Sequence, residues 1–188
     1  MEAEREWLRR GGLVLRRPRK VFEALRDEPD EASGGRQDVV VVLAFVGGVA
    51  GALATAGTGA LDDLDALEKL VWLFATGFAY GFVGYWVLGW GLSFVARRLG
   101  GAGSRRQTRH VLALALAPLV FALLAWLVFY PLLALLAAWS LALLLLGLRV
   151  VHRWSYGRAG VAVALTVVWL AALAVGLWSV LALLGRGF

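Results

Sequence analysis

The chain has 188 residues, 61% of them hydrophobic, with 19 basic residues, 13 acidic residues and no cysteine. That apolar content suits one membrane domain and leaves no core for a fused soluble enzyme, while the lack of thiols excludes disulfides, thiolate metal sites and cysteine nucleophiles. A net charge of +6 and a pI near 10.5 would suggest nucleic acid in a soluble protein; in a membrane protein, orientation and anionic headgroups account for both, and no nucleic-acid partner is expected.

Residues 1–38 form a cytoplasmic arm with nine basic and nine acidic residues. Pro18 marks a helix start, and Val21, Phe22 and Leu25 fall on one face of the helix that follows. This short amphipathic helix is expected to lie on the membrane surface with its apolar face in the headgroups. Pro29, Ser33, Gly34 and Gly35 then make a hinge. No apolar core of signal-peptide length precedes the hinge, so the first span is expected to act as the targeting signal.

The rest, 39–188, reads as an all-α transmembrane domain. Asp, Glu, Lys and Arg are absent from 39–61, 70–96, 111–148 and 159–185, and a hydrocarbon core of ~30 Å needs about 20 helical residues. The run 111–148 holds 38 residues, enough for two spans joined by a tight turn, which Phe129, Tyr130 and Pro131 supply. Charge supports this split. The loop 97–110 carries Arg97, Arg98, Arg105, Arg106 and Arg109, the loop 149–158 carries Arg149, Arg153 and Arg158, and neither contains an acidic residue. Two basic loops belong on the cytoplasmic side, so an even number of crossings separates them. Five spans result, at about 39–60, 70–96, 111–130, 132–148 and 159–184, with the N-terminus inside and the C-terminus outside. The inner side then holds 17 of the 19 basic residues. The protein is expected in the cytoplasmic (inner) membrane.

Small residues mark the helix contacts. Gly47 and Gly51 recur at a four-residue step in the first span, and Gly77, Gly81, Gly84 and Gly91 form one stripe in the second. Such stripes let backbones approach closely, between helices or across an oligomer; a glycine-lined pathway would use the same residues. Pro118 is expected to kink the third span. Trp154, Tyr156, Tyr130, Trp72 and Trp178 suit interfacial belts, whereas Trp86, Trp139 and Trp169 lie deeper and are expected to pack between helices.

Chemistry is sparse. Ionisable residues within a bilayer usually carry protons, ions or charged substrates, and these spans contain none. His110 and His152 sit beside arginines with no carboxylate in their loops, a poor metal site. Asp62, Asp63, Asp65 and Glu68 lack the glycine and terminal glutamate of a calcium loop and read as solvated helix capping. The glycine-rich segment 99–104 has no following Lys-Ser or Lys-Thr and no preceding strand, so it reads as a flexible loop and not a phosphate cradle. Catalytic, cofactor and metal sites are all absent from this reading.

The order of features is similar to that of the Yip domain family. The proline-started lead-in 17–25, the Gly-rich second span ending Phe94-Val95-Ala96-Arg97-Arg98-Leu99-Gly100-Gly101, then Gln107-Thr108-Arg109-His110-Val111, Ala117-Pro118 and Arg158-Ala159 carry the resemblance over essentially the whole chain. The lead-in is similar to that of prokaryotic members; eukaryotic members associate with Ypt and Rab GTPases, and their Asp-Leu-Tyr-Gly-Pro signature is missing here, so the resemblance does not extend to Rab binding. The resemblance implies five spans, a cytoplasmic N-terminus and a role in membrane organisation without catalytic residues. The expected protein is thus a non-enzymatic, oligomeric scaffold whose basic loops meet anionic lipid or a cytoplasmic protein partner. A passive channel, small-solute transporter or lipid scramblase built on the glycine stripe and Pro118 is the competing expectation.

Overall fold

The computed structural model describes residues 12–28, 45, 47–49, 63–79, 81, 84–121 and 130–185, and its regular elements are helical. A helical turn over 12–16 leads into α1 (Pro18–Asp27); α2 is Ala66–Phe78, α3 Gly84–Arg98 and α4 Arg105–Ala115. A 3₁₀ segment, Ala117–Phe121, precedes α5 (Tyr130–His152) and α6 (Tyr156–Gly185).

Among the described residues, two helices are long and apolar enough to cross a membrane, through the windows Ala134–His152 of α5 and Tyr156–Leu173 of α6. The other uncharged runs fall partly outside the described residues. In the run 70–96, α2 reaches Phe78 and α3 starts at Gly84, with wider π-type turns at Ala79 and Gly81 between them; residues 80, 82 and 83 lie outside the described residues. Of 39–60, only residues 45 and 47–49 are described, as helix. In the third run, α4 stops at Ala115, and buried Pro118 lies in the 3₁₀ segment. Pro118 has no N–H to continue the α ladder and its ring crowds the turn before it, so the expected kink takes the form of a tighter helix. Residues 122–129, which include the first part of the expected hairpin turn, lie outside the described residues. Still, α4 and the 3₁₀ segment pack along α5 with the start of α4 beside the end of α5, so the run 111–148 folds back on itself.

The caps follow from sequence. Asp65 and Glu68 form a reciprocal capping box at the start of α2, with bonds of 2.8 and 3.1 Å, which is the capping role expected for that acidic cluster. Ser104 and Gln107 do the same for α4, at 3.1 and 3.0 Å.

α1 forms where Pro18 starts it, supported by an Arg19–Glu23 ion pair at 2.8 Å on its outer side. Its apolar face does not enter the headgroups, contrary to the sequence expectation. Val21, Phe22 and Leu25 are buried against α5 and α4, and Val14 of the preceding turn is enclosed with them. The reason is a slot in α5: a Cβ on Gly147 would lie 3.0 Å from Cε1 and Cζ of Phe22 and 2.5 Å from Val111 Cγ1. Bare backbone there admits the whole aromatic ring, and close packing removes more of it from water than shallow immersion would.

The opposite polarity appears outside. Val161, Leu165, Val168 and Val175 of α6 and Leu67, Leu70, Trp72 and Phe74 of α2 are exposed. So broad an apolar surface is a liability in water and suits lipid. Two tryptophans depart from expectation. Trp139 faces outward at 38% exposure, and Trp154 is 6% exposed instead of lying in an interfacial belt.

Candidate functional site

The basic loops converge on the end of the bundle where α1 is docked. Arg97 and Arg98 close α3, and Arg98 lies 5.3 Å from the ring of Phe94. Arg105, Arg106 and Arg109 open α4. Arg109 lies 4.6 Å over the ring of Trp86, and its stem crosses Gly89, where a Cβ would be 2.6 Å from Arg109 Cγ. Arg149 sits 4.5 Å over Tyr156, and Arg153 and Arg158 are exposed around the α5–α6 corner. Arg106 and Arg109 are half-buried; Arg97, Arg98, Arg105 and Arg149 are exposed.

A polar clasp holds this end together. Gly103 N–H donates to His152 Nδ1 at 3.1 Å, and His152 Nε2 lies 3.1 Å from Thr108 Oγ1. Because Nδ1 accepts, the neutral ring carries its proton on Nε2 and donates to Thr108, whose hydroxyl in turn donates to Ser104 O at 2.9 Å. Trp154 stacks on His152 with 4.6 Å between centroids. Gly101 and Gly103 pack so closely on His152 that a side chain at either would collide with it. The loop expected to be flexible is therefore fastened, because two glycines let its backbone reach a buried histidine. The Gln107 amide reaches across to α1, donating to Leu25 O at 3.2 Å and Arg26 O at 3.0 Å. It thereby satisfies carbonyls that the end of a helix leaves open.

Between α1 and the α5–α6 corner lies a crevice of about 250 Å³ walled by Arg19, Arg26, Arg149 and Arg153, with Glu23 and Trp154. Arg26 grips both oxygens of Asp27 at 2.7 and 2.9 Å, and that hydrogen bond, helped by the charge of Arg26, holds the Asp27 carboxyl below its ordinary range. Arg153 has φ of 57°. Trp154 N–H bonds to Arg149 O at 2.9 Å, so Arg153 occupies the left-handed position of a Schellman turn, where glycine is usual. A non-glycine residue costs about 1–2 kcal/mol in that region.

The glycines separate into two groups. A side chain on Gly48 would strike the backbone of Gly77 and Gly81, and one on Gly77 would lie 2.7 Å from Val49 Cγ2, so this part of the stripe is filled by the helix at 47–49. Gly47 faces Leu116, and Gly91 receives the ring of Trp169. Among the described residues nothing lies within 4 Å of a Cβ on Gly84, and Gly51 lies outside the described residues. Among the described residues, no group of three or more His, Asp or Glu side chains comes together as a metal site.

Sequence reading located the arginines but missed the parts that fix them. The Ser-x-x-Gln spacing of Ser104 and Gln107 was a readable signal; nothing local marked His152 as the anchor of a distant loop, or Gly147 as a slot for Phe22.

Two membrane-length helices, an apolar outer surface and arginines gathered at one end define a helical membrane protein. The chain belongs to the Yip1 domain family, whose model matches residues 12–180. No curated protein and no solved structure matches it significantly.

Proposed function

We propose that this protein is a non-enzymatic scaffold of the inner membrane, with five spans, a cytoplasmic N-terminus and an external C-terminus, whose basic end engages anionic lipid. The observation that carries the reading is the docking of α1. Its apolar face is consumed by the protein, so the arm braces a fixed surface on which Arg97, Arg98, Arg105, Arg149, Arg153 and Arg158 face outward. Neither loop that supplies them contains an acidic residue, and each basic residue near an anionic leaflet contributes about 1 kcal/mol. The filling of the Gly77 and Gly81 stripe by residues 47–49 supports helix packing over a glycine-lined pathway.

The test neutralises Arg97, Arg98, Arg105, Arg106 and Arg109 to Gln. Anionic phospholipid retained through detergent exchange should fall, and single cysteines placed on this cysteine-free chain at Ser33 and Phe188 should report a disturbed orientation. Unchanged lipid retention together with unchanged orientation refutes the reading.

A further inference from the structure

The crevice between α1 and the α5–α6 corner has a composition that a general basic surface does not require. Four arginines line about 250 Å³ with Glu23 as the lining carboxylate. Glu23 is engaged by Arg19 and the neighbouring Asp27 by Arg26, at 2.8 and 2.7 Å. The charge of Arg153 also acts on Asp27, whose carboxyl oxygens are already bonded by Arg26. Arg149 stacks its guanidinium face near Tyr156, an arrangement that leaves the N–H edges of the group to donate in its own plane. Arg153 stands at a left-handed position that glycine would occupy without strain. The backbone has no use for arginine at that point, so the side chain supplies the reason for its presence. The two residues belong to one turn, closed by the Trp154 to Arg149 bond, and the docked arm brings Arg19 and Arg26 to the other wall. Planar guanidinium groups converging from two sides on a small polar hollow are the donor set that recognises phosphate oxygens, by paired hydrogen bonds as well as charge.

We propose that this crevice binds a phosphate group, with Arg149 and Arg153 as its principal ligands and Arg19 and Arg26 closing it from the arm. The inference rests on the reading above that this end of the bundle meets anionic headgroups, and names the group and the place. Phosphate chemistry has two sources here, a phospholipid headgroup or a free anion. The full-length protein in an uncharged detergent separates them. Thermal shifts and titrations are run with dioctanoyl phosphatidic acid, with dioctanoylglycerol, which lacks the headgroup, and with inorganic phosphate.

Phosphatidic acid should raise Tm while dioctanoylglycerol does not. Arg149→Gln and Arg153→Gly should each weaken the binding about 10- to 100-fold, as expected for loss of a hydrogen bond to a charged group. Arg97→Gln with Arg98→Gln should leave it unchanged. Arg153→Gly is the informative variant because it relieves the backbone: the unliganded protein should become more stable even as the ligand is lost. A merely structural arginine would not separate these two readouts. Equal shifts with inorganic phosphate support the same site with a free anion as its source. The site is overturned if neither phosphate compound shifts Tm, or if both variants bind as the parent does. Lipid retention that depends on Arg97 to Arg109 while Arg149→Gln and Arg153→Gly bind normally overturns the crevice but spares the general reading; the converse spares the crevice.

Discussion

Replacing Phe22 by Ala should release the arm from the bundle. Phe22 is fully enclosed, with its ring in the slot at Gly147 and against Val111. Removing a buried phenyl group typically costs about 3–5 kcal/mol, because the transfer free energy is lost and the cavity collapses only partly. Gly147 and Val111 sit on helices held by their own packing, so little collapse is available. At about 1.4 kcal/mol per decade, the undocked population should rise roughly 10²- to 4 × 10³-fold. The chain has no native cysteine, so Leu25→Cys, at a buried position on the same face, reports undocking through its maleimide labelling rate. Labelling of Leu25→Cys should be slow in the otherwise unchanged protein and accelerate by that factor when Phe22→Ala is added, approaching the rate of an exposed control at Arg19→Cys. Phe22→Met, which keeps most of the volume, should cost less than about 1.5 kcal/mol and stay within roughly tenfold of the parent. If the Leu25 site labels as fast as the Arg19 control before any change, or if Phe22→Ala leaves its rate unaltered, the arm is not held by this contact.

Three further outcomes follow from named contacts. Gly147→Val forces a side chain into Val111 and the Phe22 ring, and overpacking of this kind costs about 1–3 kcal/mol; the same labelling assay should show an undocked arm with Phe22 still present. His152→Phe keeps an aromatic ring beside Trp154 but removes the acceptor of Gly103 N–H and the partner of Thr108. The loss of about 1–3 kcal/mol expected for an orphaned buried donor should appear as a lower Tm and faster hydrogen exchange at Gly103. Gly77→Val meets Val49 Cγ2 and Cα at 2.7 and 2.9 Å, whereas Gly84→Ala meets nothing within 4 Å among the described residues. The first should destabilise the protein in thermal unfolding and the second should be neutral or stabilise by up to about 1 kcal/mol. Equal tolerance of both would remove the packing argument.

Much of the fold was legible because it depends on local pattern. Pro18 and the spacing of Val21, Phe22 and Leu25 mark α1; the uncharged runs mark α5 and α6; the acidic residues Asp65 and Glu68 mark the start of α2. What pattern cannot supply is the identity of a partner surface. The same apolar face of α1 suits a headgroup layer or a slot in another helix, and only the absence of a side chain at Gly147, over a hundred residues away, decides between them. His152 offers the same lesson. In sequence it is a histidine beside arginines at the end of an apolar run; its role comes from Gly101 and Gly103 leaving room for a loop that lies 49 residues earlier. Nor does the stripe of Gly77, Gly81, Gly84 and Gly91 act as a unit, since two of them meet the helix at 47–49, Gly91 receives Trp169, and Gly84 meets none of the other described residues.

The docked arm also changes how the charge pattern is understood. By composition, residues 1–38 are a tail of balanced charge, and the loops alone look like the functional surface. Packing makes α1 part of the domain, and the family match, which covers residues 12–180, includes it. With Glu23 and Asp27 engaged by Arg19 and Arg26, the arm adds little net charge of its own, while the acid-free loops supply the field. What α1 contributes is a second wall. Without it, Arg149 and Arg153 would stand on an open corner where exposed charges are screened and interact weakly; with it, they face a hollow in which a phosphate has donors on two sides.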